Sequence, residues 1–274
     1  MKGETCIRGA TVLSFVSLLL LIFVHVGQIN VSTVPRGIAM VSVNMSAYGM
    51  GLAVATGDPT PGLYTTNASA PLERQQGLRQ LYSWGLYSHC AYEHIPGGSC
   101  SNSTFGSKFA PFDSILADVP SNYTVQTRFI VTQQNVTFSN TSFLETSSTA
   151  SFYLLFIGTL CTVLAMISGI PTSSLTFVAA SVFAGVGTVL LLIAASIWTA
   201  IIRQIQSINN LEVWLIPWII FTSDILQVQS GVPLGIEVSP GSGLWLLWAS
   251  FIALCLSLLP YIVSCHTYRT RFNP

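Results

Sequence analysis

His89, Cys90, Glu93, His94 and Cys100 crowd together in one polar stretch, and their types support three chemistries. Imidazoles and thiolates at close spacing are the usual ligands of zinc. Two histidines titrating near pH 6.5 can couple local shape to pH. Two cysteines flanking a turn can also close a disulfide. Ten positions separate Cys90 from Cys100, and Pro96-Gly97-Gly98 between them is a strong turn former. A hairpin there brings the two backbones into disulfide range, and closing such a loop contributes about 2–3 kcal/mol. Oxidation removes the thiolates that zinc needs, so the disulfide and the metal site exclude one another. Unpaired thiols, and histidines that are simply solvent-exposed, are the plain alternatives at these positions. The choice turns on whether the stretch faces an oxidising space.

The rest of the chain bears on that question. Of 274 residues, 51% are hydrophobic and only 7% charged, with a formal net charge of zero. Soluble domains usually carry about a quarter charged residues, so much of this surface must meet lipid. The charge balance gives no reason to expect nucleic acid as a partner. Four uncharged runs are long enough to cross the hydrocarbon core. They occupy residues 11–29, 152–170, 175–202 and 243–265. The first is read as a retained anchor, because no small-x-small cleavage site follows it; a removed signal peptide is the alternative. Lys2 and Arg8 before the first run, and Arg269 and Arg271 after the last, place both termini, 1–10 and 266–274, in the cytoplasm. Residues 30–151 and 203–242 are then outside, and 171–174 form a short inner turn. Small residues recur along the third run, among them Ala180, Ala184, Gly187 and Ala194, and suit close helix packing.

The long outer segment carries seven N-x-[ST] sequons, at Asn30, Asn44, Asn67, Asn102, Asn122, Asn135 and Asn140. None lies in a hydrophobic run, as an outside placement requires. Asn30 is too close to the membrane for modification, which leaves the other six. Strands are expected over parts of 37–48, 78–92 and 123–138, the last from its β-branched residues. Residues 49–62 read as a turn region, and the Ser/Thr-rich 139–151 as a tether. In the second outer loop, 213–226 is apolar but interrupted by Pro217 and Asp224. With Trp214 and Trp218 it reads as a re-entrant or interfacial segment. Cys6 and Cys265 lie beside membrane runs, where S-palmitoylation is possible. Catalytic chemistry does not emerge. The runs contain no paired acids, and their single ionisable residue, His25, sits near an end. No cofactor and no small-molecule substrate is expected.

Gly85-Leu86-Tyr87-x-x-Cys90 followed by Cys100, in the first outer loop of a four-span chain, resembles the G-L-W-x-x-C…C signature of claudin-like proteins. Tyr87 stands where tryptophan is usual. The run from Phe109 to Pro120 and the approach Gly241-Ser242-Gly243 are similar to the fungal PalI/Sur-seven family of claudin-like plasma-membrane proteins. The resemblance implies a mainly α membrane protein, a four-helix transmembrane bundle bearing a small extracellular antiparallel β-sheet. It also implies a Cys90–Cys100 disulfide. The role it implies is non-enzymatic. The protein would organise a plasma-membrane microdomain through membrane lipids and through self-association or other membrane proteins. The alternative is an accessory subunit of an ambient-pH-sensing receptor or channel complex, with His89 and His94 as the titrating groups.

Overall fold

The computed structural model describes residues 2–94, 97–134, 136–170, 174–210, 212–213 and 232–272. Residues 2–8, 94, 133–134, 136–137, 174–175, 212–213, 232 and 262–272 are described through their backbone alone. Apolar runs with no charge to solvate must hydrogen-bond their backbone internally, and a helix does so within one segment. Four long helices result: α1 (Lys2–Val26), α7 (Thr141–Ser168), α8 (Ser174–Ile205) and α9 (Ser242–Phe272). All four are long and apolar enough to cross a membrane. Between them come α2 (Thr33–Arg36), α3 (Tyr48–Thr56), α4 (Pro111–Asp118), α5 (Ser121–Gln134) and α6 (Val136–Ser139).

The long helices are held by small residues and hydroxyls. Gly158 of α7 meets Leu191 of α8, and Gly187 meets Cys161. Ala180, Ala184, Ala194 and Ala195 are fully buried. Where lipid offers no hydrophobic drive between helices, such close packing and buried hydrogen bonds supply the attraction. The hydroxyls of Ser17 on α1 and Ser250 on α9 lie 2.9 Å apart, and each is also within hydrogen-bond reach of the other's carbonyl, at 2.9 and 3.1 Å. Ser151 of α7 donates to the Ala194 carbonyl at 3.0 Å.

Above this bundle lies an antiparallel sheet. Its strands are β1 (Val41–Asn44), β2 (Leu81–Trp84), β3 (His89–His94), β4 (Gly97–Cys100) and β7 (Glu237–Pro240), in the order β4-β3-β2-β1-β7. A separate pair joins β5 (Glu212–Val213) to β6 (Val232–Pro233). The expected class, a four-helix membrane protein with a small antiparallel sheet, is the observed one. The strand from the second loop was not foreseen. β7 pairs with β1 in register Val43↔Val238, so both loops build one sheet. The outer edge of β7 is closed by Asn209, whose amide donates to the Val238 carbonyl and accepts from its N–H at 2.9 and 2.6 Å.

Several local readings are corrected. Of the expected strand at 123–138, residues 123–134 and 136–138 are helical. Thr127 and Val131, four apart, are buried on one face, and that burial overrides the β preference of the individual residues. Of the expected tether at 139–151, residues 141–151 are the first part of α7. Asn140 caps it by accepting from the Phe143 N–H, and Leu144, Ser148 and Ser151 are buried along one side. Residues 49–56 of the expected turn region belong, with Tyr48, to α3, which ends at Gly57 in the left-handed conformation that glycine adopts freely. The helix of the first run stops at Val26, because Gln28 takes a positive φ of 55°. The third and fourth helices overrun their expected ends at 202 and 265. The segment with Trp214, Pro217, Trp218 and Asp224, and all of the expected turn at 171–174 except Ser174, where α8 begins, lie outside the described residues.

Candidate functional site: the clasp between hairpin and first helix

β3 and β4 pair with Cys90 opposite Cys100, and the two sulfurs are bonded. No thiolate remains there, so the metal reading of the cluster falls. His94 is described only through its backbone, in β3, and Pro96 lies outside the described residues. His89 is not exposed, contrary to expectation. It is 7% accessible, stacks on Trp84 at 5.8 Å, and faces the Glu73 carboxylate at 3.6 Å. Burial pushes its pKa down to about 4, so desolvation outweighs the half-exposed Glu73.

Each residue of the Gly85-Leu86-Tyr87 turn has a physical task. Gly85 crosses the exit of α1 so closely that a Cβ there would run into the Gly27 carbonyl oxygen. Only glycine lets two backbones approach in this way. Leu86 is buried in the core. The Tyr87 hydroxyl meets His25 Nδ1 at 2.7 Å, and His25 Nε2 meets the Thr159 hydroxyl at 3.0 Å. His25 therefore links the turn, α1 and α7, and the one ionisable residue of the runs has partners on both ring nitrogens.

Gln28 completes the clasp. It is fully buried, and its amide donates to the carbonyls of Pro35, Arg36 and Ile38, at 2.8 Å to Arg36. Its side-chain oxygen accepts from the Tyr92 hydroxyl at 3.0 Å, and its backbone carbonyl accepts from the Ser88 hydroxyl. Nothing in the spacing of the sequence marks Gln28. A polar residue directly after an apolar run reads as a boundary, although here it is the hub between α1 and β3.

A second buried network was also missed. Arg79 and Asp118 are 0% and 1% accessible and pair at 3.2 Å. The same Asp118 oxygen accepts from the Tyr82 hydroxyl at 2.9 Å, and its other oxygen accepts from the Glu73 N–H at 2.6 Å. The Arg79 guanidinium also donates to the Ala70 carbonyl. Burial holds the Tyr82 hydroxyl well above its usual pKa, so the phenol stays protonated and donates. This network fixes the loop from Ala70 to Arg79 against α4. Among the described residues no three His, Cys, Asp or Glu side chains form a metal-sized cluster.

The other candidate residues are dispersed. Asn67, Asn102, Asn122 and Asn140 are exposed, Asn44 is half-buried in β1, and Asn135 lies outside the described residues. Cys6 and Cys265 lie on helical backbone in α1 and α9, at opposite ends of the sequence. The arrangement as a whole binds a sheet to a helical bundle through buried polar contacts and a disulfide. The sequence model of the SUR7/PalI family matches residues 7–259, nearly the whole chain. No curated protein matches it.

Proposed function

Starting from the chain's membership of the SUR7/PalI family, we propose that this multi-pass membrane protein is a non-enzymatic organiser of a plasma-membrane microdomain. It would act by lateral association with membrane lipids and with other membrane proteins or copies of itself. The observation that carries this reading is where the polar chemistry is used. His25, Gln28 and the Arg79–Asp118 pair are engaged in joining elements of the fold. Meanwhile the bundle turns long apolar stripes outward, such as Val178, Val182, Val186, Val189 and Ile193 on α8. We place the sheet outside the cell with both termini in the cytoplasm. The seven sequons, the disulfide and the terminal basic residues support that sidedness, with Asn44, Asn67, Asn102, Asn122, Asn135 and Asn140 as glycan acceptors and Cys6 and Cys265 as acylation sites. The test is imaging of a full-length fluorescent fusion combined with proximity labelling. Discrete, slowly exchanging patches and a recurring set of labelled membrane proteins are expected. Uniform free diffusion with no recurring neighbours would defeat the proposal.

A second reading, an accessory subunit of a pH-sensing receptor or channel complex, draws on His89. Its folded pKa of about 4 lies below the usual 6.5. The unfolded chain therefore takes up a proton first as pH falls. The stability carried by the neutral ring is complete above about pH 6.5 and is lost progressively down to about pH 4, by about 3 kcal/mol in all. Thermal melting of wild type and His89→Phe across this range separates the cases. The wild type should lose stability more steeply on acidification, and parallel curves would remove His89 as a pH-responsive group.

A further inference from the structure

The face of α7 that carries Thr146, Ala150, Tyr153, Ile157, Leu160 and Leu164 is exposed along its full length. From Phe152 downward it is uncharged, as a lipid-facing stripe must be. At its upper end the stripe opens into a shallow, solvent-open cavity of about 410 Å³ that Lys108, Glu145, Thr149 and Tyr153 help to line. Glu145 stands seven residues above Phe152, about 10 Å along the helix axis. That height corresponds to the headgroup layer flanking a hydrocarbon core about 30 Å thick.

The cavity is built by two elements. The loop carrying Phe105 and Lys108 lies along α7, with the Phe109 N–H donating to Ser148 at 3.1 Å. Phe105 is 60% accessible yet packs edge-on against Phe152 and Phe156, at 4.8 and 5.3 Å. Such a ring, apolar and half-uncovered, belongs at a membrane–water boundary. Above it the Lys108 ammonium and the Glu145 carboxylate meet at 3.1 Å, with 68% and 30% of their side chains accessible. The cavity thus presents one cation, one anion and the hydroxyls of Thr149 and Tyr153, directly above an apolar track.

We propose that this cavity seats the headgroup of a zwitterionic phospholipid, with its phosphate on Lys108, its ammonium on Glu145 and an acyl chain along the α7 stripe. An ion pair at a partly wet surface holds itself together weakly, so a ligand carrying both opposite charges can separate it and satisfy each partner. A purely anionic headgroup would meet Glu145 as a like charge. The site rests on the membrane embedding of α7 and not on the microdomain reading.

The test uses the full chain purified in detergent, with lipid retention read by native mass spectrometry. The probes are phosphatidylcholine, phosphatidylglycerol, which lacks the ammonium, and diacylglycerol, which lacks both charges. Wild type should retain phosphatidylcholine at least fivefold over either of the others. Lys108→Ala and Glu145→Ala should each abolish that preference. Thr149→Trp, which fills the cavity and keeps both charges, should do the same, with unchanged thermal melting in all three. Glycerophosphocholine, the headgroup without chains, should not displace the lipid. Equal retention of all three lipids, a preference that survives the substitutions, or displacement by the chain-free headgroup at equal concentration would overturn the site.

Discussion

Replacing Arg79 by Met should destabilise the folded extramembrane unit by about 3–5 kcal/mol, because Asp118 is then left charged and buried without its cation. The position admits no easy rescue by solvent, since both side chains are almost wholly inaccessible. Tyr82 and the Glu73 N–H would still donate to Asp118, but neither carries charge. The expected readout is a large fall in melting temperature of the detergent-solubilised protein. The double replacement Arg79→Met with Asp118→Leu should recover much of the loss, because removing both charges also removes the desolvation cost of each. A single variant that melts like wild type would mean that the pair does not hold the Ala70–Arg79 loop.

Gly85→Ala is expected to cost at least about 2 kcal/mol, a large effect for one methyl group. The added carbon meets the Gly27 carbonyl and the Gln28 side chain, and backbone cannot yield as a flexible side-chain tip can. Separating the turn from the α1 exit would also weaken the contacts of Ser88 and Tyr92 with Gln28. Tyr87→Phe provides the comparison. It removes only the hydroxyl partner of His25, a loss of about 0.5–1.5 kcal/mol for a partly buried hydrogen bond. Melting curves of the two variants should therefore fall in that order. If Gly85→Ala is neutral, the close crossing of turn and helix exit is not what the glycine serves.

The parts of the fold that follow local rules were readable in the sequence. Uncharged apolar runs declare helices, and Cys90 and Cys100 around Pro96-Gly97-Gly98 declare a fastened hairpin. What escaped was set by distance along the chain. Arg79 and Asp118 are 39 positions apart, and each reads alone as an ordinary surface charge. β7 is four residues long and gains its identity from β1, almost two hundred positions earlier. Helix α5 was misread because Val125, Ile130 and Val131 favour strands locally, whereas the burial of Thr127 and Val131 on one face decides for helix. The spacing of those two residues was the available signal. His89 reads as a loop histidine until its stacking partner, Trp84 on the neighbouring strand, is known.

The sheet is a single disulfide-bonded unit fastened to the exit of the first helix, and we propose that it lies on the non-cytoplasmic side. Cleavage after Arg79 and Lys108 releases one peptide containing Cys90, Cys100 and the Asn102 sequon. Mass mapping of that peptide from membranes, without reduction and after enzymatic glycan removal, tests the claim on one molecule. The expected peptide lacks two hydrogens for the Cys90–Cys100 bond and carries aspartate in place of Asn102, the mark of a removed glycan. A peptide with two free thiols and an unmodified Asn102 would contradict the account.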